Sequence, residues 1–242
     1  MDFTARDIGC YTLSFQPPLN ATHTCGCMGQ SIGVAHGMAK AGVTHRTIAA
    51  IGDSTFFHSG MSALANVAYN QSNVITLIAD NRATAMTGHQ DNPGTGKTLQ
   101  GKDTVEIEFE PLVRALGIEE VYTVDPYDLA TVERVLRHCL EVDKPAVIIS
   151  RRECALLPQA SDRFDPRKEW KPLRVNARRC NGCGLCFRVG CPAVIASEEI
   201  DERTHRRKAR LDPLLCTGCE ICAQVCARKA ILTRAQLEGG NE

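Results

Sequence analysis

The sequence predicts an α/β domain built on a parallel sheet, followed by a small α+β module rich in cysteine. Three observations carry this. Short apolar runs alternate with helical patterns over residues 1–155. Eight of the 13 cysteines fall after residue 179. The zero net charge divides into 13 Lys/Arg against 19 Asp/Glu in residues 1–165, and 15 against 9 from residue 166 onward, so an acidic body precedes a basic tail.

The elements follow in order. Residues 29–41, opening on Gly29, read as a helix rich in small residues. Residues 46–51 (RTIAAI) form an apolar run ending in Gly52-Asp53 and read as a buried strand; 73–79 (NVITLIA) and 145–150 (PAVIIS) read likewise. Helical patterns cover 60–69, 107–116 and 127–140, the second helix starting near Gly60 after a loop at Ser54-Thr55. Strands alternating with helices imply a parallel sheet covered on both faces, whose ligands sit beyond the carboxyl ends of the strands. The loops after Ile51 and Ala79 are therefore the first places to look. A polar stretch with two prolines marks a linker. The expected boundaries are 1–157 for the first domain, 158–172 for the linker and 173–236 for the cysteine module.

Composition narrows the function. At 43% hydrophobic and 23% charged residues the chain is globular. Zero net charge excludes a generally basic nucleic-acid binder. No apolar run approaches the roughly 18 residues of a membrane span. The start, MDFTAR, has no apolar signal region, so the expectation is a cytoplasmic protein. Thirteen cysteines in a chain neither small nor visibly exported point to metal rather than disulfides.

The cysteines are arranged as Cys180-x2-Cys183-x2-Cys186-x4-Cys191-Pro192 and Cys216-x2-Cys219-x2-Cys222-x3-Cys226. Three thiolates at this spacing on a tight loop can reach three irons of one cubane. Structural zinc is the alternative, but zinc ribbons pair two C-x-x-C knuckles, not two runs of three plus a remote fourth. Gly182 and Gly218 sit inside the loops, where backbone must pass close to sulfide. The module resembles bacterial-type two-cluster ferredoxins over some 55 residues. That resemblance implies crossed ligation of two [4Fe-4S] clusters: Cys180, Cys183, Cys186 and Cys226 hold one, and Cys216, Cys219, Cys222 and Cys191 hold the other. Two departures, the four residues before Cys191 and Ala227 in place of the usual proline, remove no ligand.

In the α/β body, Gly52-Asp53-Ser54 follows the first predicted strand and Asn81 ends the next. Two oxygen ligands at adjacent strand ends suit Mg2+ shared with phosphate oxygens, and Ser54, Thr55 and the following helix offer N–H groups to an anion. Upstream, Cys25-Gly26-Cys27-Met28-Gly29 opens a helix. This resembles the diphosphate half of thiamine diphosphate enzymes. The resemblance implies that Asp53 and Asn81 bind Mg2+ through side chains and Ala83 through its carbonyl. It makes Met28 the apolar wedge against the cofactor, with Gly26 offering a carbonyl to the aminopyrimidine, and Gly29, Gly52, Ser54 and Thr55 completing the cradle.

The order of motifs is more specific than any one of them. DIGCYTL, CMGQSIGVAHG, GDSTFFHSG, ADNRATAMTGHQ and a two-cluster ferredoxin segment together resemble the α subunits of indolepyruvate ferredoxin oxidoreductases, a branch of the 2-oxoacid:ferredoxin oxidoreductases. The resemblance implies oxidative decarboxylation of an aryl-2-oxoacid, its joining to coenzyme A, and passage of electrons through the clusters to an external ferredoxin. Subunits of that family are longer on the amino-terminal side and carry there a pyrimidine domain with the activating Glu. Either the 242 residues are a truncated chain or separate polypeptides supply the rest, in which case the expected partners are a pyrimidine-domain chain and a β subunit. The competing reading is an electron-transfer module on a vestigial α/β domain.

Other features are weighed and set aside. Gly94-Thr95-Gly96-Lys97-Thr98 resembles part of a phosphate loop but has Asp91 where glycine is needed, and reads as a mobile loop near the site. His58 and His89 are candidates for proton handling, with His23 nearby. Glu106, Glu108 and Glu110 read as a solvated face, and Cys139 as a core residue of its helix. The run from Arg203 to Arg210 reads as a solvated hairpin tip or a dock for an acidic redox partner.

Overall fold

The computed structural model describes residues 3–157 and 170–239. The chain divides into two compact units: Met1–Phe15 with Asn20–Cys154, and Gln16–Leu19 with Ala155–Glu242. The expected linker lies outside the described residues as far as 169, and Trp170 already packs on the second core. The short segment Gln16–Leu19, expected with the first domain, groups with the second because Leu19 lies over Gly190, where an added Cβ would meet its Cγ at 3.4 Å.

In the first unit, β1 (Phe3–Asp7), β2 (Thr24–Gly26), β3 (Thr47–Gly52), β4 (Val74–Asp80), β5 (Glu120–Val124) and β6 (Ala146–Arg151) form one six-stranded sheet in the order β2-β1-β3-β4-β6-β5. Every neighbouring pair is parallel. The three apolar runs are the centre of this sheet, where both faces are covered and most positions are buried. Their side chains alternate between two cores. Val74, Ile78, Val147 and Ile149 join Ile32, Phe56, Leu64 and Phe109 on one face. Ile75, Ala146 and Ile148 join Val124 and the buried Cys139 on the other.

Helices α1 (Gln30–Lys40), α4 (Phe109–Ala115) and α5 (Leu129–Glu141) fall where the periodicity puts them. The second helix does not. It begins at Asp53 as α2 (Asp53–Thr55), passes through a π turn (Phe56–Gly60) and runs on as α3 (Met61–Tyr69). Ser54 and Thr55 are therefore its first turn and not a preceding loop. Gly60 lies inside it because a Cβ there would come within 2.8 Å of Ile51 and 2.9 Å of Phe56, so glycine lets the helix press onto β3. The loop at 94–98 is not loose: Asn92 Oδ1 accepts from Gly94 N–H at 2.9 Å, and Thr104 N–H donates to Gly96 O at 3.0 Å.

The second unit is α+β. β7 (Arg174–Val175) pairs antiparallel with β10 (Ile231–Leu232), and β8 (Val194–Ile200) with β9 (Arg207–Leu211). Each cysteine segment folds into a loop and a short helical turn, Leu185–Val189 in the first and α6 (Ile221–Gln224) in the second, and then into a strand, β8 or β10; a five-residue helix, α7 (Arg234–Glu238), closes the described module. The core of this unit is Leu173, Ala193, Val194, Ala209 and Ile231 packed directly on cysteine side chains. Among the described residues no helix is long and apolar enough to cross a membrane.

Candidate cofactor site and cysteine sets

The carboxyl ends of β1, β3 and β4 surround a cavity that opens to solvent. Seven of the expected cofactor residues line it: Met28, Gly52, Asp53, Ser54, Thr55, Asn81 and Ala83. Asp53, only 4% exposed, sits at its floor. Its Oδ1 accepts from Ser54 N–H at 2.7 Å and its Oδ2 from Ala83 N–H at 3.2 Å. Asn81 Oδ1 accepts from the same Ala83 N–H at 3.2 Å, so the two side-chain oxygens expected on Mg2+ converge on one point. Burial, aided by the Asp80 carboxylate, pushes Asp53 up to about 6. A buried carboxylate next to another carboxylate is stabilised in its charged form by a bound cation. The helix that starts at Asp53 adds its N-terminal N–H groups at the same wall. These residues fit a magnesium diphosphate group.

The remaining candidates take supporting places. Gly29, at φ 91°, precedes α1 and leaves room for Ser59, whose Oγ would lie 2.2 Å from a Cβ. A Cβ on Gly26 would run into Gln30 at 2.6 Å. Neither lines the cavity. His58 is exposed, and His89 Nε2 lies 3.4 Å from Cys154 Sγ; they too are absent from the lining. His23 accepts from Thr4 N–H through Nδ1 and stacks on Phe3. The glutamates are not simply a solvated face. Glu110 receives two hydrogen bonds from Arg151, at 2.9 and 2.8 Å, and Glu106 pairs with Arg82, because both cations are anchored on the buried Asp80.

Residues that motif reading did not single out complete the site. Ile8, Cys10 and Tyr11 come from the turn after β1, and Thr84, Met86 and Thr87 from the loop after β4. The Tyr11 hydroxyl is buried beside Gly52, and burial pushes it well above the usual phenol range. Asp7, fully buried, takes the Ser31 N–H at 2.7 Å and thereby seats the start of α1 on the end of β1. The DIGCYTL and ADNRATAMTGHQ motifs were the available signals for these residues.

In the second unit, Cys180, Cys183, Cys186 and Cys226 line one small pocket. Burial, then Cys180, Cys226 and Cys183, push the Cys186 thiol up to about 11. Around Cys222, burial, then Cys219, Cys191 and Cys216, and last Cys186 of the first set, push the thiol up to about 12. The structure thus brings together the two crossed sets. Among the described residues no three His, Cys, Asp or Glu side chains converge as tightly as one metal ion requires. A cubane spaces its thiolates more widely than a single ion does. Gly182 and Gly218, at φ 68° and 72°, keep the loops close to their neighbours: a Cβ would meet Arg206 at 2.8 Å or Arg234 at 2.5 Å. Ala209 N–H points to Cys180 Sγ at 3.4 Å and Ala230 N–H to Cys226 Sγ at 3.2 Å, contacts of the kind that stabilise bound thiolate.

Residues 7–150 match the family model described as thiamine pyrophosphate enzyme, C-terminal TPP binding domain. The chain belongs to that family. Residues 172–227 match the 4Fe-4S dicluster domain. This member of the thiamine pyrophosphate enzymes therefore joins a thiamine diphosphate domain to a domain for two [4Fe-4S] clusters. It is 45% identical over 202 residues to indolepyruvate oxidoreductase subunit IorA of Pyrococcus horikoshii, an alignment covering 78% of this chain and 31% of that protein. The subunit IorA of Archaeoglobus fulgidus is 39% identical over 189 residues, covering 78% and 30%. The chain thus spans about a third of the length of the curated relatives it matches. Among solved structures, 2-oxoglutarate:ferredoxin oxidoreductase from Magnetococcus marinus superposes with a TM-score of 0.58 at 17% identity, covering 63% of this chain and 54% of the other, which is a likeness of fold.

Proposed function

We propose that the chain is part of a 2-oxoacid:ferredoxin oxidoreductase that oxidatively decarboxylates an aryl-2-oxoacid of the indolepyruvate type, forms the acyl-coenzyme A and CO2, and passes two electrons to an external ferredoxin. The observation that carries this reading is the joining, on one chain, of a cavity fitted to magnesium and diphosphate with two sets of four thiols. Thiamine diphosphate supplies the electron sink for decarboxylation, and two [4Fe-4S] clusters supply one-electron carriers.

The chain's own residues bind and orient. Asp53, Asn81 and the Ala83 carbonyl hold Mg2+; Ser54, Thr55 and the start of α2 receive the diphosphate; Gly52 lets the backbone approach; and Met28 gives the mouth an apolar surface. Gly26 and Gly29 shape the turn into α1. Cys180, Cys183, Cys186 and Cys226 hold one cluster, and Cys191, Cys216, Cys219 and Cys222 the other. The site favours catalysis over the vestigial reading because Asp53 is kept buried beside Asp80 at a cost that a bound cation offsets. The indolepyruvate substrate comes from the likeness to the IorA subunits, and the pyrimidine-domain chain and the β subunit from the family resemblance of the motifs. The test is the assembled enzyme, prepared without oxygen, with indolepyruvate, coenzyme A and ferredoxin. Ferredoxin reduction that requires all three substrates, with about eight irons per chain, is expected. Full iron with no bound thiamine diphosphate would leave only the electron-transfer reading.

A further inference from the structure

We infer that the four-thiol set containing Cys183 is the exit point for electrons, and that a collar of arginines around it docks a small acidic one-electron carrier. The inference rests on the oxidoreductase reading above and adds where the carrier binds. The two cysteine sets differ in access. Cys183 is exposed, whereas Cys191, Cys216, Cys219 and Cys222 are all buried or partly so. The first set is therefore the one that a docked protein can approach.

The charges around it come from three separate segments. Arg178 and Arg179 immediately precede Cys180 and are exposed. Arg206 and Arg207, also exposed, lie at the start of β9, where their backbone packs on Gly182 at less than the distance a Cβ would allow. Thr204 Oγ1 donates to Asn181 O at 2.7 Å and fixes that contact. Arg228 is the only charged side chain lining the cavity. Among the described residues none of these five guanidinium groups is in an ion pair. The basic run read from sequence is thus only partly the patch. Lys208 is paired with Glu199, and Asp201 takes the N–H groups of Arg203 and Thr204 to cap the tip. Arg178 and Arg179 come to the patch by preceding Cys180, whose Sγ accepts from Ala209 N–H of β9, and Arg228 by lining the pocket with Gly182.

Five unpaired cations steer an acidic partner and orient it on the exposed thiol set. They also favour the reduced, more negative state of the nearer cluster, which directs electrons outward. Each encounter moves one electron: the chain's cluster is oxidised by one, the carrier's is reduced by one, and no proton or atom is transferred.

The experiment uses the full chain with both clusters and an acidic bacterial-type two-[4Fe-4S] ferredoxin. R178Q/R179Q/R206Q/R207Q is expected to keep full iron, to bind oxidised ferredoxin at least about tenfold more weakly at low ionic strength, and to lose most of the salt dependence of binding. Oxidation of the reduced chain by methyl viologen, a small cation, should not slow. In a second arm, Cys183→Ala removes one cluster and rapid ferredoxin reduction, whereas Cys219→Ala removes the other cluster and leaves the first able to reduce ferredoxin. Unchanged ferredoxin affinity and salt slope in the arginine variant, or a normal rate in Cys183→Ala, would overturn the proposal. None of these measurements needs a 2-oxoacid, so failure of the oxidoreductase reading would show separately, as absent substrate-dependent reduction.

Discussion

Asp53 is a carboxylate that folding alone disfavours. Burial and the neighbouring Asp80 push it up to about 6, so near neutral pH the fold holds a charge in a poor environment. A divalent cation with diphosphate reverses that balance. Asp53→Ala and Asn81→Ala are each expected to weaken Mg2+-dependent thiamine diphosphate binding by at least about tenfold, while the iron content stays unchanged. Calorimetric titration and iron analysis check both halves, and normal affinity in the two variants would refute the site assignment. Asp53 and Asn81 were legible in the sequence because each ends a strongly apolar run. Their support was not. Asp80 is held by Arg151, 71 residues away, and Tyr11 reaches Gly52 only through the packing of β1 on β3. Local pattern carries no signal for such long-range partners.

Among the elements, legibility followed burial on both faces. β3, β4 and β6 are continuous apolar runs, and all three were readable. β1 and β2 were missed because FTARD and TCG are short and half polar, although β1 lies inside the sheet. β5 was missed because an edge strand needs only one apolar face. The tie between α4 and β6 was misread as solvated charge, and it yields a prediction. Burial alone would raise the Glu110 carboxyl, but hydrogen bonds from Arg151 and Thr123 outweigh it and hold it at about 2. A folded-state value below the unfolded one adds stability above the unfolded value, and that stability is lost as pH falls toward the folded one. Glu110→Gln is expected to cost about 1 kcal/mol at pH 7, a modest figure because solvent screens the pair. The difference should narrow as pH drops below about 4.5. Urea unfolding of both proteins from pH 7 to pH 3 measures it, and a pH-independent difference would show that the ion pair is not its source.

At the scale of the whole molecule, the question is where the carboxylate that activates the cofactor resides. In enzymes of the family that this chain resembles, a Glu at the far end of the aminopyrimidine lets the ring deprotonate the thiazolium. Among the described residues the cavity is bordered by one carboxylate, Asp53, and its two oxygens are committed to Ser54 and Ala83 and to the expected cation. Glu106 and Glu110 are engaged by Arg82 and Arg151, and Glu108 stands at the start of α4, away from the cavity lining. Among the described residues no carboxylate besides Asp53 lines the cavity. The 242 residues purified alone are expected to bind clusters yet show no steady 2-oxoacid-dependent ferredoxin reduction, and to gain that activity when a chain carrying the pyrimidine domain is added. Anaerobic assays with and without that chain, at matched iron content, give the answer. Sustained turnover by the 242 residues free of any other polypeptide would mean that one of these glutamates leaves its arginine and reaches the cofactor. In that case Glu106→Gln or Glu110→Gln would abolish the activity, and the arginine clamps on Asp80 would be a resting arrangement instead of a fixed part of the fold.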